Sequence, residues 1–218
     1  MAKKTAVQFD FDGTVTVEDV SFLLLDTYVG RVWRTYLDEY ESGRMTVGAF
    51  NRWVFGMMKA DRSAMTELVL SSERVKIRPG FRELVDYCLG KGYRVVIVSN
   101  GLLFYIQAIL ERLGISGVEV YAAENEFHPG GLKVRYLGPD GVEMEAGFKE
   151  AYTGLLIKEG YQVIYVGNGN SDIYSARRCW HVFATDELLK RCRREGLACL
   201  PFDDFFDVIR GIEKLEKG

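Results

Sequence analysis

Two aspartates, Asp10 and Asp12, stand two residues apart in the turn Asp10-Phe11-Asp12-Gly13-Thr14, directly after the apolar run Ala6-Val7-Gln8-Phe9. Gly13 permits a tight bend and the close approach of a ligand to the backbone. Such an acidic turn suits paired-carboxylate chemistry, and it equally suits a plain loop or a helix cap. A calcium loop of the EF-hand type is excluded by register, because Thr14 and Ser21 occupy its fifth and twelfth ligand positions. Ser99-Asn100-Gly101 closes a second apolar run. Its N–H groups and hydroxyl can receive an anion at a helix start, or Ser99 and Asn100 can simply cap that helix. Gly167-Asn168-Gly169-Asn170-Ser171-Asp172 closes a third run, with polar side chains between glycines and with Ser171 or Asp172 as an alternative cap. Lys149, early in a helical segment, is by itself an ordinary solvated lysine.

These turns need elements to position them. Thr5 to Phe11, Tyr93 to Val98, Gln162 to Val166 and Val182-Phe183 read as buried strands, and a short strand is expected near Val118 to Tyr121. Helices are expected over Phe81–Lys91, Leu102–Leu113, Phe148–Glu159, Ser171–Arg178 and Asp186–Arg194, with a closing helix from about Asp203. Leu132 to Tyr136, flanked by Gly130-Gly131 and Pro139-Asp140-Gly141, reads as part of a surface hairpin. Between about Glu18 and Lys76 there is no proline, and apolar residues recur at helical spacing: Leu24, Tyr28 and Val32, then Phe50, Trp53, Val54 and Met57, then Met65, Leu68 and Val69. This segment reads as three or four helices with room for a small core of their own. The alternation elsewhere implies an α/β fold, a parallel sheet with helices on both faces. Ligands of such sheets bind beyond the carboxyl ends of the strands, where the three polar turns should meet.

Taken in order, Asp10-Phe11-Asp12-Gly13-Thr14, Ser99, Lys149 and Gly167 to Asp172 resemble the four motifs of the haloacid dehalogenase-like phosphohydrolase superfamily. The resemblance covers nearly the whole chain. It implies a Rossmann-like, doubly wound core from residues 1–14 and 78–218, with a helical cap inserted at 15–77. It also implies Mg2+ held by Asp10, Asp12, Asn168 and Asp172, an aspartyl phosphate formed on Asp10, and acid–base work by Asp12, assisted by Lys149. Ser99, Asn100 and Gly101 would bind the phosphoryl oxygens. A second acid at position 12 resembles the phosphatases of the superfamily and not its dehalogenases or transport ATPases. Asn168 departs from the pattern, because many members carry an acid there. Its amide can still reach a metal but contributes no negative charge.

Physical chemistry asks for the same parts. A carboxylate approaching a phosphomonoester dianion to about 4 Å meets about 8 kcal/mol of repulsion at an effective dielectric near 20. A divalent cation and Lys149 would offset it, while two carboxylates with different duties would split the displacement into two steps. The layout resembles phosphoserine phosphatase and the methionine-salvage phosphatases. By that resemblance Asp19 lies near a substrate-amine position and Arg52 near a substrate-carboxylate position. Read from the residues alone, Asp19 is equally a helix-start acid and Arg52 a solvated helix residue. Trp33, Trp53 and Phe55 can line an apolar pocket or pack in a core.

Composition narrows the partners. The 218 residues carry 28 basic and 31 acidic side chains for a net charge of −3, so the strongly basic footprint of a nucleic-acid binder is missing. Four scattered cysteines without a C-x-x-C pair, and only two histidines, argue against a disulfide framework or a zinc site. No apolar run reaches the roughly 20 residues of a membrane helix. The expectation is a cytoplasmic enzyme, monomeric or homodimeric, acting on a small phosphorylated metabolite without nucleic acid or membrane. Alternatives are a phosphotransferase, a catalytically weak phosphometabolite-binding regulator, or a receiver-type phosphorylation switch, although the last normally lacks a helical insert of this length.

Overall fold

The computed structural model describes residues 4–217. β1 (Lys4–Phe9) is buried on both faces from Ala6 onward, which suits only an interior strand. It lies between β2 (Arg94–Leu102) and β5 (Tyr161–Gly167) in a seven-stranded sheet. β3 (Val118–His128) and β4 (Gly131–Arg135) extend the sheet beyond β2, and β6 (His181–Ala184) and β7 (Leu200–Pro201) extend it beyond β5. Every pairing is parallel except that of β4 with β3.

The connecting helices are α5 (Phe81–Gly90), α6 (Leu103–Arg112), α7 (Phe148–Lys158), α8 (Ile173–Ala176), α9 (Asp186–Glu195) and α10 (Phe205–Lys217). Neighbouring residues of a strand face opposite sides. Phe9 meets Phe81 of α5 and Phe205 of α10 edge-on, each with ring centroids 6.0 Å away. Gln8, on the other side, accepts from Thr153 Oγ1 of α7 at 2.9 Å. The sheet is therefore covered on both faces, as the alternation of elements requires. Chain order reverses across β1, and its register pairs Phe9 with Ile97 and Val166. Asp10, Ser99 and Asn168 consequently emerge side by side at the carboxyl edge.

Four further helices lie between β1 and α5: α1 (Val20–Tyr28), α2 (Trp33–Glu41), α3 (Val47–Gly56) and α4 (Arg62–Ser71). Asp19, Thr46 and Asp61 cap three of them by accepting from backbone N–H groups of the first turn. The outgoing and returning chains are tied together, with Val17 N–H donating to Lys76 O and Arg78 N–H to Val15 O.

The structure differs from the sequence reading in four places. Trp33, Phe50, Val54, Met58 and Met65 belong to the same continuous apolar cluster as Phe9 and Ile97, so these helices share the sheet's core. β3 runs on to His128 and pairs with β4 as a hairpin whose Leu132 and Val134 are buried, with α3 packed against it. Ser99 to Leu102 continues β2 through an irregularity of register between Val98 and Leu102, where a free turn was expected. Ser171 to Arg178 shortens to a 3₁₀ turn, Asn170–Asp172, followed by the single turn of α8. Cys88, Cys179, Cys192 and Cys199 are all free thiols. No described helix is long and apolar enough to cross a membrane.

Candidate active site

Asp10 follows β1 directly and is almost wholly buried. Its Oδ1 accepts from the Phe11 N–H at 2.7 Å and lies 2.6 Å from Lys149 Nζ. Lys149 occupies the first turn of α7, which starts from Gly147 in the left-handed conformation. Gln8 Nε2 donates to the Lys149 carbonyl at 3.3 Å, which fastens that turn to the strand leading to Asp10. Lys149 Nζ also donates to Asp172 Oδ1 at 2.7 Å. The ammonium thus sits between two carboxylates. Burial opposes its charge, but Asp10 and Asp172 outweigh that effect and hold its pKa above the ordinary value.

Asp172 is completely buried and its acceptor capacity is taken. Oδ1 receives Lys149 and the Tyr165 hydroxyl at 2.7 Å, while Oδ2 receives the N–H groups of Asn168 and Gly169 at 3.0 and 2.8 Å. It does not line the cavity beside Asp10. Asp172, expected from sequence among the metal ligands, here pairs with Lys149, and four donors surround its two oxygens. Asn168 does line the cavity, and its Oδ1 accepts from Thr14 Oγ1 at 3.0 Å. The amide packs so tightly on Gly13 that a Cβ there would lie 2.1 Å from Nδ2, at a φ of +75°.

Asp12 is held from two sides. Its Oδ1 accepts from the Val20 N–H at 2.9 Å, and Oδ2 accepts from the Tyr105 hydroxyl at 2.6 Å. Ser99 Oγ accepts from the Gly101 N–H at 3.0 Å, so that donor is turned inward and is not free for an anion. The Asn100 carbonyl accepts from Asn51 Nδ2 at 2.9 Å and from the Tyr136 hydroxyl at 2.5 Å. Asn51 comes from α3, far along the chain.

A cavity of about 480 Å³ opens in front of these groups. Asp10, Asp12, Ser99, Asn100, Gly101, Lys149 and Asn168 line its floor, and Asp19 lies on its wall as the cap of α1. The helical insert adds an apolar part to the lining, Phe22, Leu25, Leu37, Val47, Phe50 and Phe55, beside Tyr40, Glu41 and Asn51. Of the three aromatic residues considered from sequence only Phe55 reaches it, since Trp33 is buried in the core and Trp53 is exposed. Arg52 does not line the cavity; its guanidinium is paired with Glu145 and Glu143. The structure thus sets it apart from the other expected substrate-binding residues.

The cavity is lined by six acidic side chains against two basic ones, Lys149 and Arg74, and Arg74 is itself paired with Glu18 and Asp26. Burial, reinforced by the charge of Asp172 and offset by Lys149, pushes Asp10 up to about 7. Burial and then the charge of Asp19 push Asp12 well above the carboxylate range, and burial raises Asp19 as well. Such a site calls for a cation before it can hold an anion. No cluster of three His, Cys, Asp or Glu suited to a metal occurs among the described residues. Among the residues on the cavity floor, the Asp10 carboxylate and the Asn168 amide offer oxygen donors, and by the family resemblance the Asp12 carbonyl would join them. Magnesium fits this set, because it commonly takes one or two carboxylates and completes its shell with water and substrate phosphate.

Sequence reasoning missed Tyr105, Asn51 and Tyr136. Asn51 left a signal as an amide among Val47, Phe50 and Val54 on the apolar side of a helix. Tyr105, inside an apolar helix, left none that points to Asp12.

Comparison with known proteins gives a consistent picture. A family model described as haloacid dehalogenase-like hydrolase matches residues 7–177. A 2-hydroxy-3-keto-5-methylthiopentenyl-1-phosphate phosphatase of Geobacillus thermodenitrificans is 28% identical, covering 99% of each chain. Pdp3-interacting factor 1 of Schizosaccharomyces pombe is also 28% identical, over 98% of this chain and 96% of that one. A substrate-bound phosphoserine phosphatase shares the fold with a TM-score of 0.71 at 20% identity, covering 96% of this chain and 99% of the other. With most of its length inside that family match and its fold alike, the chain belongs to the haloacid dehalogenase-like hydrolases.

Proposed function

We propose that the chain is a magnesium-dependent phosphatase of a small phosphorylated metabolite, working through an aspartyl phosphate on Asp10. The observation that carries this reading is Asp10 itself, at the cavity floor, with Oδ1 held by Lys149 and the Phe11 N–H beside the acid–base candidate Asp12. An Asp10 oxygen attacks phosphorus while the ester P–O bond breaks, and Asp12 gives its proton to the departing oxygen. Asp12 then takes a proton from water as that water attacks phosphorus, and the bond to Asp10 breaks to release phosphate and regenerate the carboxylate. Asp10, the Asp12 carbonyl and Asn168 would hold magnesium, which would supply positive charge against the phosphoryl oxygens. Ser99 donates its hydroxyl to those oxygens. Asp172 keeps Lys149 charged and aimed.

In this reading residues 1–14 and 78–218 form the catalytic core, and residues 15–77 form a cap that contributes the apolar part of the lining. The substrate's remaining portion is largely apolar and carries no carboxylate. With Lys149 committed to the phosphoryl end and Arg52 engaged by Glu145 and Glu143, a substrate carboxylate would find only the paired Arg74. That favours a compound such as 2-hydroxy-3-keto-5-methylthiopentenyl-1-phosphate over phosphoserine. The same reading places the enzyme in the cytoplasm, as a monomer or homodimer, without nucleic-acid or membrane partners. Asn168, a neutral residue at a cation site, favours a second reading as a weakly catalytic phosphometabolite-binding regulator. Hydrolysis of the two compounds by purified protein, with magnesium and with EDTA, tests both readings. Magnesium-dependent turnover that prefers the methylthiopentenyl ester is expected. Binding without turnover of either compound would favour the regulator, and faster turnover of phosphoserine would refute the substrate reading.

A further inference from the structure

We propose that Tyr105 is the positioning residue for the Asp12 carboxyl, an inference that rests on the acid–base reading of Asp12 given above. Tyr105 lies in the first turn of α6, immediately after the irregular end of β2, and is completely buried. Its hydroxyl donates to Asp12 Oδ2 at 2.6 Å across 93 residues of chain. The other oxygen, Oδ1, is held by the Val20 N–H at the start of α1. The two oxygens are thus fixed by different parts of the molecule, Oδ1 by the helical insert and Oδ2 by a helix packed on the sheet.

Gly101 shows how closely the pair is fitted. A Cβ at that position would lie 1.9 Å from the Tyr105 hydroxyl and 2.3 Å from Asp12 Oδ2. The phosphate-facing strand end therefore leaves just enough space for the phenol to reach the carboxyl. Asp12 must alternate between acid and carboxylate during a cycle. A phenol can donate to a carboxylate oxygen and to the carbonyl oxygen of the acid alike, so this bond holds the group through both states. Without it, Asp12 keeps one anchor and can rotate about its side-chain torsions. Proton transfer to a leaving oxygen depends on hydrogen-bond reach, so the loss falls on substrates that need the proton.

Tyr105→Phe, Asp12→Asn and the double variant should be assayed with magnesium on glycerol 2-phosphate, a poor leaving group, and on p-nitrophenyl phosphate, a good one. Because kcat/KM reports the steps up to the first displacement, it isolates acid catalysis. Tyr105→Phe is expected to lose ~10- to 100-fold in kcat/KM on glycerol 2-phosphate and at most about 3-fold on the aryl ester. It should cause no further loss when Asp12 is already Asn. Equal losses on both substrates would assign the hydroxyl a structural role and overturn the inference, as would an undiminished effect in the Asp12→Asn background. A parent-like Tyr105→Phe beside a crippled Asp12→Asn would overturn this inference alone. An Asp12→Asn protein hydrolysing glycerol 2-phosphate at the parent rate would remove the acid–base reading itself, and this one with it.

Discussion

The ammonium of Lys149 is the group on which the site's charge balance turns, since it lies 2.6 Å from Asp10 and 2.7 Å from Asp172 and all three side chains are nearly buried. Asp172→Asn leaves Lys149 its partner Asp10 but turns an amide NH2 toward donors that the Asp172 oxygens now receive. It should lower stability by about 1–3 kcal/mol in urea titrations, and a loss below about 0.5 kcal/mol would show that those hydrogen bonds contribute little. Asn168→Asp should tighten magnesium binding measured by calorimetry, because it adds negative charge at the cavity floor; an unchanged titration would remove Asn168 from the cation's shell. Asp10 also predicts a pH effect. Its folded pKa is raised, to about 7, so the unfolded chain releases that proton first as pH rises. The contribution of this group to stability therefore falls between about pH 4 and pH 7 when magnesium is absent. In EDTA, the parent protein should lose more melting temperature between pH 5 and pH 8 than Asp10→Asn does. Parallel pH dependences in the two proteins would contradict the raised pKa.

At the scale of elements, the strand ends are set by register and their fine geometry by neighbours distant in sequence. β2 bends after Val98, and the Asn100 carbonyl is turned toward Asn51 of α3 and Tyr136 beyond β4. That contact joins the helical insert to the strand end proposed to bind phosphate. Asn51→Ala should cost about 1–2 kcal/mol in stability and raise KM more than it lowers kcat, since it loosens binding and leaves the reacting carboxylates alone. A lowered kcat at unchanged KM would place Asn51 in the chemistry instead. The acidic and glycine-rich turns were legible because each follows an apolar run, and a parallel sheet gathers such ends at one edge. The hairpin was misjudged as surface because its flanking Gly and Pro residues dominate the reading. The alternation of Leu132, Val134 and Tyr136 in fact marks a buried face, the one against which α3 packs. Tyr105 and Asn51 stayed hidden because their partners lie 93 and 49 residues away, a separation no local pattern encodes.

For the whole molecule, the surprise is the shared core. A segment of this length can bury a small core alone, yet Phe50, Val54 and Met65 join the cluster that fills the sheet's face. The α/β layout and the order of the motifs could be read from periodicity; this continuity could not, because it depends on how helices dock. An excised chain lacking residues 17–76 should consequently expose apolar surface and bind a hydrophobic dye without a cooperative thermal transition. A well-folded excised core would show that the insert is an independent unit. The central claim is that the Asp10 carboxylate carries the phosphoryl group. It is tested most directly by acid-quenching Asp12→Asn during turnover of p-nitrophenyl phosphate with magnesium and locating the added phosphoryl group by peptide mass spectrometry. The account predicts the label on Asp10, and none in a protein that also carries Asp10→Asn. Hydrolysis proceeding with Asp10 unmodified, or with the label on another residue, would contradict it.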